Sequence, residues 1–181
     1  MENEEQKALK PIILLSGPPG AGKTTVAREL VPLLPGTVAC IEGDKFWSFF
    51  AKGYEMMEEH KNFRTIMISM TTASLAYVRA GYQVIIDFSV PPWFLPAVFK
   101  IVNDRNIALD YVIIRPSEKV CALRAAQRPE GAVADYAVYK DFYASFKQAE
   151  RHAYCDDESD AAAIAANIRD GLYDGIFRVT E

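Results

Sequence analysis

The stretch Gly17-Pro18-Pro19-Gly20-Ala21-Gly22-Lys23-Thr24 decides the fold of this chain. It fits the pattern G-x-x-x-x-G-K-[ST] of a phosphate-binding loop. An apolar run at residues 12–15 precedes it, and residues 24–34 have the composition of a helix. A buried strand, a glycine turn and a helix in this order are the context that the motif requires. We therefore expect a P-loop, rather than a glycine-rich turn that binds nothing.

The residue types in the loop predict a nucleoside triphosphate and Mg²⁺. Glycine at three positions permits backbone angles that let N–H groups converge on an anion, and the helix N-terminus adds partial positive charge. Lys23 is placed to reach the β- and γ-phosphates, and the Thr24 hydroxyl to ligate Mg²⁺. The expected nucleotide-binding residues are Gly17, Pro18, Pro19, Gly20, Ala21, Gly22, Lys23, Thr24 and Thr25. The loop leaves the fate of the γ-phosphate open.

Length and composition limit the class of protein. The 181 residues favour a single domain over 1–181, and the net charge of −4 argues against a general nucleic-acid surface. Three scattered cysteines, Cys40, Cys121 and Cys155, are typical of reduced thiols in a cytosolic protein. Residues 1–10 lack the apolar core of a signal peptide, and no apolar run is long enough to cross a bilayer. We expect a cytoplasmic protein without nucleic-acid or membrane partners, either a monomer or a homodimer.

Apolar runs alternate with helix-like stretches along the chain. Strands are expected at 12–15, 37–41, 83–88, 109–114 and 153–155, with a short further strand at 176–179. Helices are expected at 24–34, 62–80, 91–103, 117–127, 135–152 and 161–172. This alternation predicts an α/β fold with a parallel sheet and helices on both faces. Ligands of such sheets bind beyond the carboxyl ends of the strands, where the sequence places Asp44, Asp87 and Arg115.

Two carboxylates follow predicted strands. Asp87 ends the run Val84-Ile85-Ile86-Asp87, the Walker B arrangement, and either holds Mg²⁺ or caps the next turn. Asp44 follows the second strand, where a carboxylate can accept the proton of a substrate hydroxyl that attacks the γ-phosphate. It can equally cap a helix that begins near Lys45, and the two roles are compatible. Glu42 is expected to point away from the site.

Arg124 and Arg128 are one helical turn apart and share a helix face. They precede the break Pro129-Glu130-Gly131, so a short lid around residues 124–136 is expected to bring them over the triphosphate. The alternative is a pair of solvated arginines on an exposed helix. Arg64 binds an anionic or polar substrate, or forms a surface salt bridge.

Aromatic residues cluster in two parts of the sequence. Those that follow the two carboxylates are Phe46, Trp47, Phe49, Phe50 and Trp93, and most are expected in the core, with one or two walling an acceptor pocket. Those in the later helical region are Tyr136, Tyr139, Phe142, Tyr143 and Phe146. Their helical spacing favours a core-facing stripe over a ligand platform.

Together, the P-loop, Asp44, Asp87 and the arginine pair resemble those of small-molecule P-loop kinases. The chain is similar to gluconate and shikimate kinases, chloramphenicol phosphotransferase and zeta-toxin-type kinases over about residues 11–152, and its overall pattern looks like the AAA-type ATPase or kinase branch of this group. The resemblance implies a three-layer P-loop NTPase fold with strand order 2-3-1-4-5, a mobile lid and ATP as donor. It also implies that Asp44 contacts the acceptor hydroxyl and that both arginines contact ATP.

The expected function is an ATP-dependent phosphotransferase, a P-loop kinase that moves the γ-phosphate to a hydroxyl of a small polar molecule. The expected catalytic residues are Lys23, Asp44, Arg124 and Arg128, with Thr24 and Asp87 as metal ligands. One alternative is an ATPase or switch protein that acts on a partner through a conformational change. Another is a polynucleotide 5′-hydroxyl kinase, against which the net charge of −4 argues. The residue pattern does not identify the acceptor.

Overall fold

The computed structural model of the protein describes residues 9–53, 55, 59–129 and 131–180. Its strands are β1 (Ile12–Ser16), β2 (Val38–Glu42), β3 (Gln83–Asp87), β4 (Leu109–Ile114) and β5 (Ala153–Tyr154). Its α-helices are α1 (Lys23–Leu30), α2 (Glu59–Arg79), α3 (Leu95–Asn103), α4 (Glu118–Ala126), α5 (Lys140–Ser145) and α6 (Ala161–Tyr173). Residues 1–8 of the polar N-terminal stretch and Glu130 of the predicted lid lie outside the described residues.

The five strands form one parallel sheet in the order β2-β3-β1-β4-β5, which confirms the predicted fold. In the register, Leu15 and Glu42 both lie opposite Asp87. The carboxyl ends of β1, β2 and β3 are therefore level, and the segments that follow these strands leave the sheet along one edge.

Helices cover both faces of the sheet, and β1, β3 and β4 are therefore buried along their whole lengths. One face packs on α2 and α3, through buried residues that include Met67, Met70 and Val98. The other face packs on α1, α4 and α6, through residues that include Leu30, Cys121 and Ile168. The molecule thus has three layers and two apolar cores, one on each side of the sheet.

Two predicted helices are shorter than expected at proline-containing segments. The helix predicted at 24–34 ends at Leu30 and continues as a 3₁₀ turn, Val31–Leu33, because Pro32 has no N–H to donate. The segment after β3 likewise begins with a 3₁₀ turn, Pro92–Phe94, before α3. Ser117 does cap α4, since its hydroxyl accepts from the Val120 N–H at 3.4 Å.

The predicted helix at 135–152 is wrong as a single element. It is divided into a 3₁₀ turn (Tyr136–Tyr139), α5 and a second 3₁₀ segment (Phe146–His152). Tyr136 and Tyr143 pack in the core on the α1 side of the sheet, whereas Phe146 packs in the core on the α2 side. The aromatic stripe is therefore divided between the two cores, and the helical backbone angles are interrupted at Ala149, which has a φ of −130° and a ψ of 48°.

The strand predicted at 176–179 is also absent from the described C-terminal tail. Gly175 has a φ of +71° after α6, and the Ile176 N–H bonds to the Gly171 carbonyl as part of the helix cap. The pairing that remains is an isolated antiparallel bridge between Arg178 and Asp110 of β4. The tail therefore pairs with the beginning of β4 at this one bridge, through backbone hydrogen bonds from the Tyr111 N–H to the Phe177 carbonyl and from the Val179 N–H to the Leu109 carbonyl.

Among the described residues, no helix combines the length and the apolar character that are needed to cross a membrane.

Candidate active site

The P-loop lies tightly against the end of β4 and against α4. A Cβ at position 17 would lie 2.1 Å from the Ile114 carbonyl oxygen, and one at position 20 would lie 2.1 Å from the Cys121 carbonyl oxygen. Both glycines also have positive φ, +141° at Gly17 and +79° at Gly20. Glycine is therefore required here by both backbone angle and space.

The loop presents free donors at the start of α1. Gly22, at φ +94°, precedes the helix, and no side chain caps this end. The first-turn N–H groups, which include those of Lys23, Thr24 and Thr25, have no acceptor within the helix and are available to an anion. The Lys23 ammonium donates to the Pro18 carbonyl at 3.2 Å, so the side chain folds back along the loop.

Lys23 and Asp87 each shift the pKa of the other. Burial lowers the pKa of the Lys23 ammonium, while the charges of Asp87 and Asp44 oppose that shift. Burial raises the pKa of Asp87, opposed by the Thr24 hydrogen bond and by Lys23. A triphosphate bound here would add negative charge beside Lys23, which favours its protonated form.

The Thr24 hydroxyl donates to the Asp87 carboxylate at 2.6 Å. Neighbouring oxygen ligands of one octahedral Mg²⁺ are about 3 Å apart, since each lies about 2.1 Å from the ion. Thr24 and Asp87 therefore fit as two of the ligands of a magnesium ion. The remaining positions would be left to water and phosphate oxygens, as this ion prefers.

Asp44 lines the same cavity, and its position depends on close packing between Gly43, which follows β2, and Phe88, which follows β3. Gly43 is buried, and a Cβ there would lie 2.5 Å from ring atoms of Phe88. Asp44 itself is exposed and lies in the first turn of a 3₁₀ helix, Gly43–Phe49, so the helix expected near Lys45 is present but Asp44 is not its N-cap. No side chain caps this segment, and Glu42 pairs instead with Lys45 at 3.1 Å.

The two arginines lie on the wall of the P-loop cavity. Arg124 donates to the Ala21 carbonyl at 3.5 Å, and Arg128 is exposed. The cavity has a volume of about 370 Å³ and is lined by Gly20, Gly22, Lys23, Thr24, Thr25, Asp44, Asp87, Phe88, Arg124 and Arg128. The fold thus brings together the four residues expected to be catalytic and the two expected to bind metal. Arg64 is exposed and lines neither this cavity nor the next one.

A second, larger cavity adjoins the first and has a volume of about 610 Å³. We call it the aromatic cavity; it is lined by Pro19, Asp44, Trp47, His60, Phe63, Phe88, Ser89, Trp93, Tyr139 and Phe142. Asp44 and Phe88 line both cavities. Trp47 and Trp93 belong to the group of aromatic residues of which one or two are expected to wall an acceptor pocket, whereas Tyr139 and Phe142 belong to the stripe expected in the core.

Sequence reasoning missed several groups that shape the site. The Tyr136 hydroxyl donates to the Pro19 carbonyl at 2.7 Å, which joins the end of the predicted lid to the P-loop. Ser16 and Tyr111 both donate to the Val90 carbonyl, at 2.8 and 2.6 Å, and so hold the segment after β3. The position of Ser16 directly before Gly17 is the one sequence signal for this contact.

Arg115, which follows β4, does not line either of these cavities. Its guanidinium pairs with Glu150 at 2.5 Å and lines a separate hollow with Ser117 and Cys155. Its Nε is buried without a hydrogen-bond partner among the described residues.

Solved structures with the same fold include several kinases. The tunicamycin resistance protein of Deinococcus radiodurans aligns over 95% of this chain and 99% of its own, with a TM-score of 0.70 and 17% identity. A sugar kinase from Janibacter covers 91% and 95%, with a TM-score of 0.67 and 16% identity. The APS kinase of Mycobacterium tuberculosis, solved with AMPPNP and APS, covers 91% and 98%, with a TM-score of 0.67 and 14% identity. At these identities the likeness concerns the fold.

Comparison with curated protein sequences gives no significant match. The AAA domain family, in contrast, matches residues 12–149, which run from β1 to the segment before β5. This span includes the P-loop, Asp44, Asp87 and both arginines. The chain therefore belongs to the AAA domain family and has the fold of the P-loop kinases.

Proposed function

We propose that the protein is an ATP-dependent phosphotransferase that moves the γ-phosphate to a hydroxyl of a small molecule. One observation carries this proposal: the P-loop cavity, with its lysine, its Thr24–Asp87 oxygen pair and its arginines, shares Asp44 and Phe88 with a second cavity. A phosphotransferase needs a donor site and an acceptor site that meet at one carboxylate, and Asp44 lines both.

The donor half binds and neutralises the triphosphate. The first-turn N–H groups of α1 and the Lys23 ammonium hold the β- and γ-phosphates, and Thr24 and Asp87 hold Mg²⁺. The bound metal ion would neutralise charge that develops on the β- and γ-phosphate oxygens. Arg124 and Arg128 line the same cavity and stabilise the same charge during transfer.

The transfer itself exchanges one P–O bond for another. The acceptor oxygen forms a bond to the γ-phosphorus, and the bond from that phosphorus to the β–γ bridging oxygen breaks, which releases ADP. Asp44 orients the acceptor hydroxyl and takes its proton as the new bond forms. The exposed position of Asp44 leaves its carboxylate accessible to a bound acceptor.

The structural neighbours support transfer rather than simple hydrolysis. A sugar kinase and an APS kinase share the fold over more than nine-tenths of this chain. The competing function is a nucleotide-dependent switch whose output is a change of shape. Phosphate release measured with and without a pool of hydroxyl metabolites separates the two, because fast hydrolysis in water alone would favour the switch.

The decisive experiment compares Asp44→Asn with the wild type. Each protein is incubated with γ-labelled ATP and a metabolite pool, and the labelled product is identified by mass. We expect Asp44→Asn to bind ATP normally and to transfer phosphate about 100-fold more slowly, since general-base catalysis contributes roughly 10²–10⁴-fold. Glu42→Gln is the matched control, because that half-buried carboxylate pairs with Lys45 and does not line the P-loop cavity. Transfer by Asp44→Asn at the wild-type rate would remove Asp44 from the mechanism.

A further inference from the structure

We propose that the aromatic cavity binds the phosphate acceptor, and that this acceptor is a neutral molecule whose reacting hydroxyl is carried beside a planar ring. The inference rests on the proposed phosphotransferase function and names its substrate class. It is drawn from the walls of the cavity, from the charges that surround it and from its junction with the P-loop cavity.

Six aromatic rings of described residues line the cavity, and they come from separate parts of the chain. They are Trp47 after β2, Phe63 on α2, Phe88 and Trp93 after β3, and Tyr139 and Phe142 at the start of α5. Flat apolar walls of this kind bind another planar ring through stacked or edge-to-face contacts. Polyols without a ring would leave most of this wall without a matching surface.

The wall rings are held from outside the cavity. Trp47 lies 5.9 Å from Phe50, and Trp93 lies 5.9 Å from Phe94, measured between ring centroids. Tyr139 and Phe142 are similarly packed, at 5.8 Å from Tyr136 and 5.3 Å from Phe146. The second member of each pair does not line the cavity, so each of these four wall rings already packs on a neighbouring ring when no ligand is bound. A preformed wall of this kind reduces the entropy cost of binding.

The charges around the cavity favour a neutral ligand. Within the described part of the chain, its lining includes neither lysine nor arginine, and its one carboxylate is Asp44. An anionic acceptor bound in this cavity would therefore lie beside the like charge of Asp44 and would find no cationic side chain among the described residues of the cavity wall. Ser89 supplies a hydroxyl that can bond to hydroxyl or amide groups of a neutral molecule.

The position of the cavity fixes which part of the acceptor reacts. Asp44 and Phe88 belong to both cavities, so the acceptor hydroxyl reaches the γ-phosphate at their junction. Val90, held by Ser16 and Tyr111 of the sheet, anchors the segment that carries Phe88 and Trp93. The ring-binding wall is thus rigidly placed relative to the P-loop, which β1 also carries.

Intrinsic fluorescence can report on this cavity directly. The chain has two tryptophans, Trp47 and Trp93, and both line the cavity. The neutral probe is 2-(4-nitrophenyl)ethanol, which carries a planar quenching ring and a primary hydroxyl. The matched anion is 4-nitrophenylacetate, and sorbitol is the polyol without a ring. We expect saturable quenching by the neutral probe and at least tenfold weaker binding of the anion.

Two variants test whether the wall determines acceptor affinity. Trp93→Ala removes a ring that is 58% exposed at the cavity, and we expect it to raise the KM for a ring-bearing acceptor about tenfold. The KM for ATP should stay within twofold of the wild-type value. Tyr173→Ala removes an aromatic side chain of similar exposure, 66%, on α6, and should change neither constant.

Separate measurements of Mg·ATP binding and of labelled-phosphate transfer keep the two proposals distinct. If the wild type transfers phosphate to the neutral ring alcohol and Trp93→Ala selectively loses this transfer, both the phosphotransferase function and the acceptor class are supported. Transfer that is confined to sorbitol-like polyols or to anions, with Trp93→Ala fully active, overturns the acceptor class and leaves the kinase standing. Saturable quenching by the neutral probe without transfer to any hydroxyl supports the ring site and overturns the phosphotransferase.

Discussion

Asp87 shows how a single residue can favour function at the expense of stability. Its carboxylate is 5% exposed at the end of β3, and burial raises its pKa. The Thr24 hydrogen bond and the Lys23 charge offset this cost only in part. A buried carboxylate that is not fully compensated is expected where a metal ion supplies the missing charge.

We predict that Asp87→Asn melts at a higher temperature than the wild type in the absence of nucleotide and metal. The amide oxygen can still accept from Thr24, and it carries no charge to desolvate. Because the folded-state pKa of Asp87 is raised, the ionised form costs stability as pH rises from the unfolded-state to the folded-state pKa. The difference in melting temperature between the variant and the wild type should therefore reach its maximum above the folded-state pKa and disappear in acid. Thermal melts across pH check this.

The same variant should lose its response to ligand. Saturating Mg·ATP stabilises a protein that binds it, by about 2.7 kcal/mol at 100 times the Kd, and Asp87→Asn should retain little of this gain. Asp104→Asn, at an exposed carboxylate paired with Lys100, is the control and should behave as wild type. A lower melting temperature for Asp87→Asn than for wild type at neutral pH would contradict the assignment of a desolvation cost.

At the scale of elements, the P-loop depends on contacts with β4 and α4 as much as on its own sequence. The Cα atoms of Gly17 and Gly20 lie directly against backbone carbonyls of those two elements. The glycines are therefore needed for packing, in addition to the backbone angles that form an anion site. A change at either position moves the loop relative to the sheet.

We predict that Gly20→Ala lowers the free energy of unfolding by about 2–4 kcal/mol and abolishes ATP binding, because the new Cβ would meet the Cys121 carbonyl at 2.1 Å. Gly175→Ala is the matched control. That position has a similar φ, +71°, but no atom within 4 Å of the added carbon, so the cost should be about 1 kcal/mol. Urea denaturation and ATP titration measure both effects, and equal losses in the two variants would refute the packing argument.

Across the whole molecule, the C-terminal tail is secured by a charge pair at the end of the sheet. Arg178 donates to the Asp110 carboxylate at 2.6 and 3.3 Å, and the aspartate side chain is 4% exposed. The Val179 N–H also bonds to the Leu109 carbonyl. Asp110 lies at the amino-terminal end of β4, whereas the nucleotide site lies at the carboxyl ends of the strands.

We predict that Arg178→Ala lowers the free energy of unfolding by about 2–4 kcal/mol, because it leaves the Asp110 charge buried without its partner. Arg169→Ala is the control, since its pair with the exposed Asp170 should contribute at most about 1 kcal/mol. Denaturant unfolding measures both. Affinity for Mg·ATP should be unchanged in each variant, and a loss of ATP binding in Arg178→Ala would show that the tail supports the site.

Local patterns in the sequence determined the P-loop, the buried strands and the parallel sheet. Apolar runs, glycines and strand-end carboxylates are encoded by neighbouring residues, so residues 12–24 and Val84 to Asp87 could be interpreted without knowing the rest of the fold. The same register that aligns β1, β2 and β3 explains why Asp44 and Asp87 could be placed together before the structure was known.

Only the tertiary structure decided how the aromatic residues are shared between core and cavity. The stripe from Tyr136 to Phe146 has one helical period, yet its members enter two different cores and a cavity wall. The cavity also depends on Gly43 packing against Phe88, which joins segments more than forty positions apart. The hydrophobic periodicity of the sequence predicts which residues are buried. Which surface each of them packs against depends on contacts between distant parts of the chain.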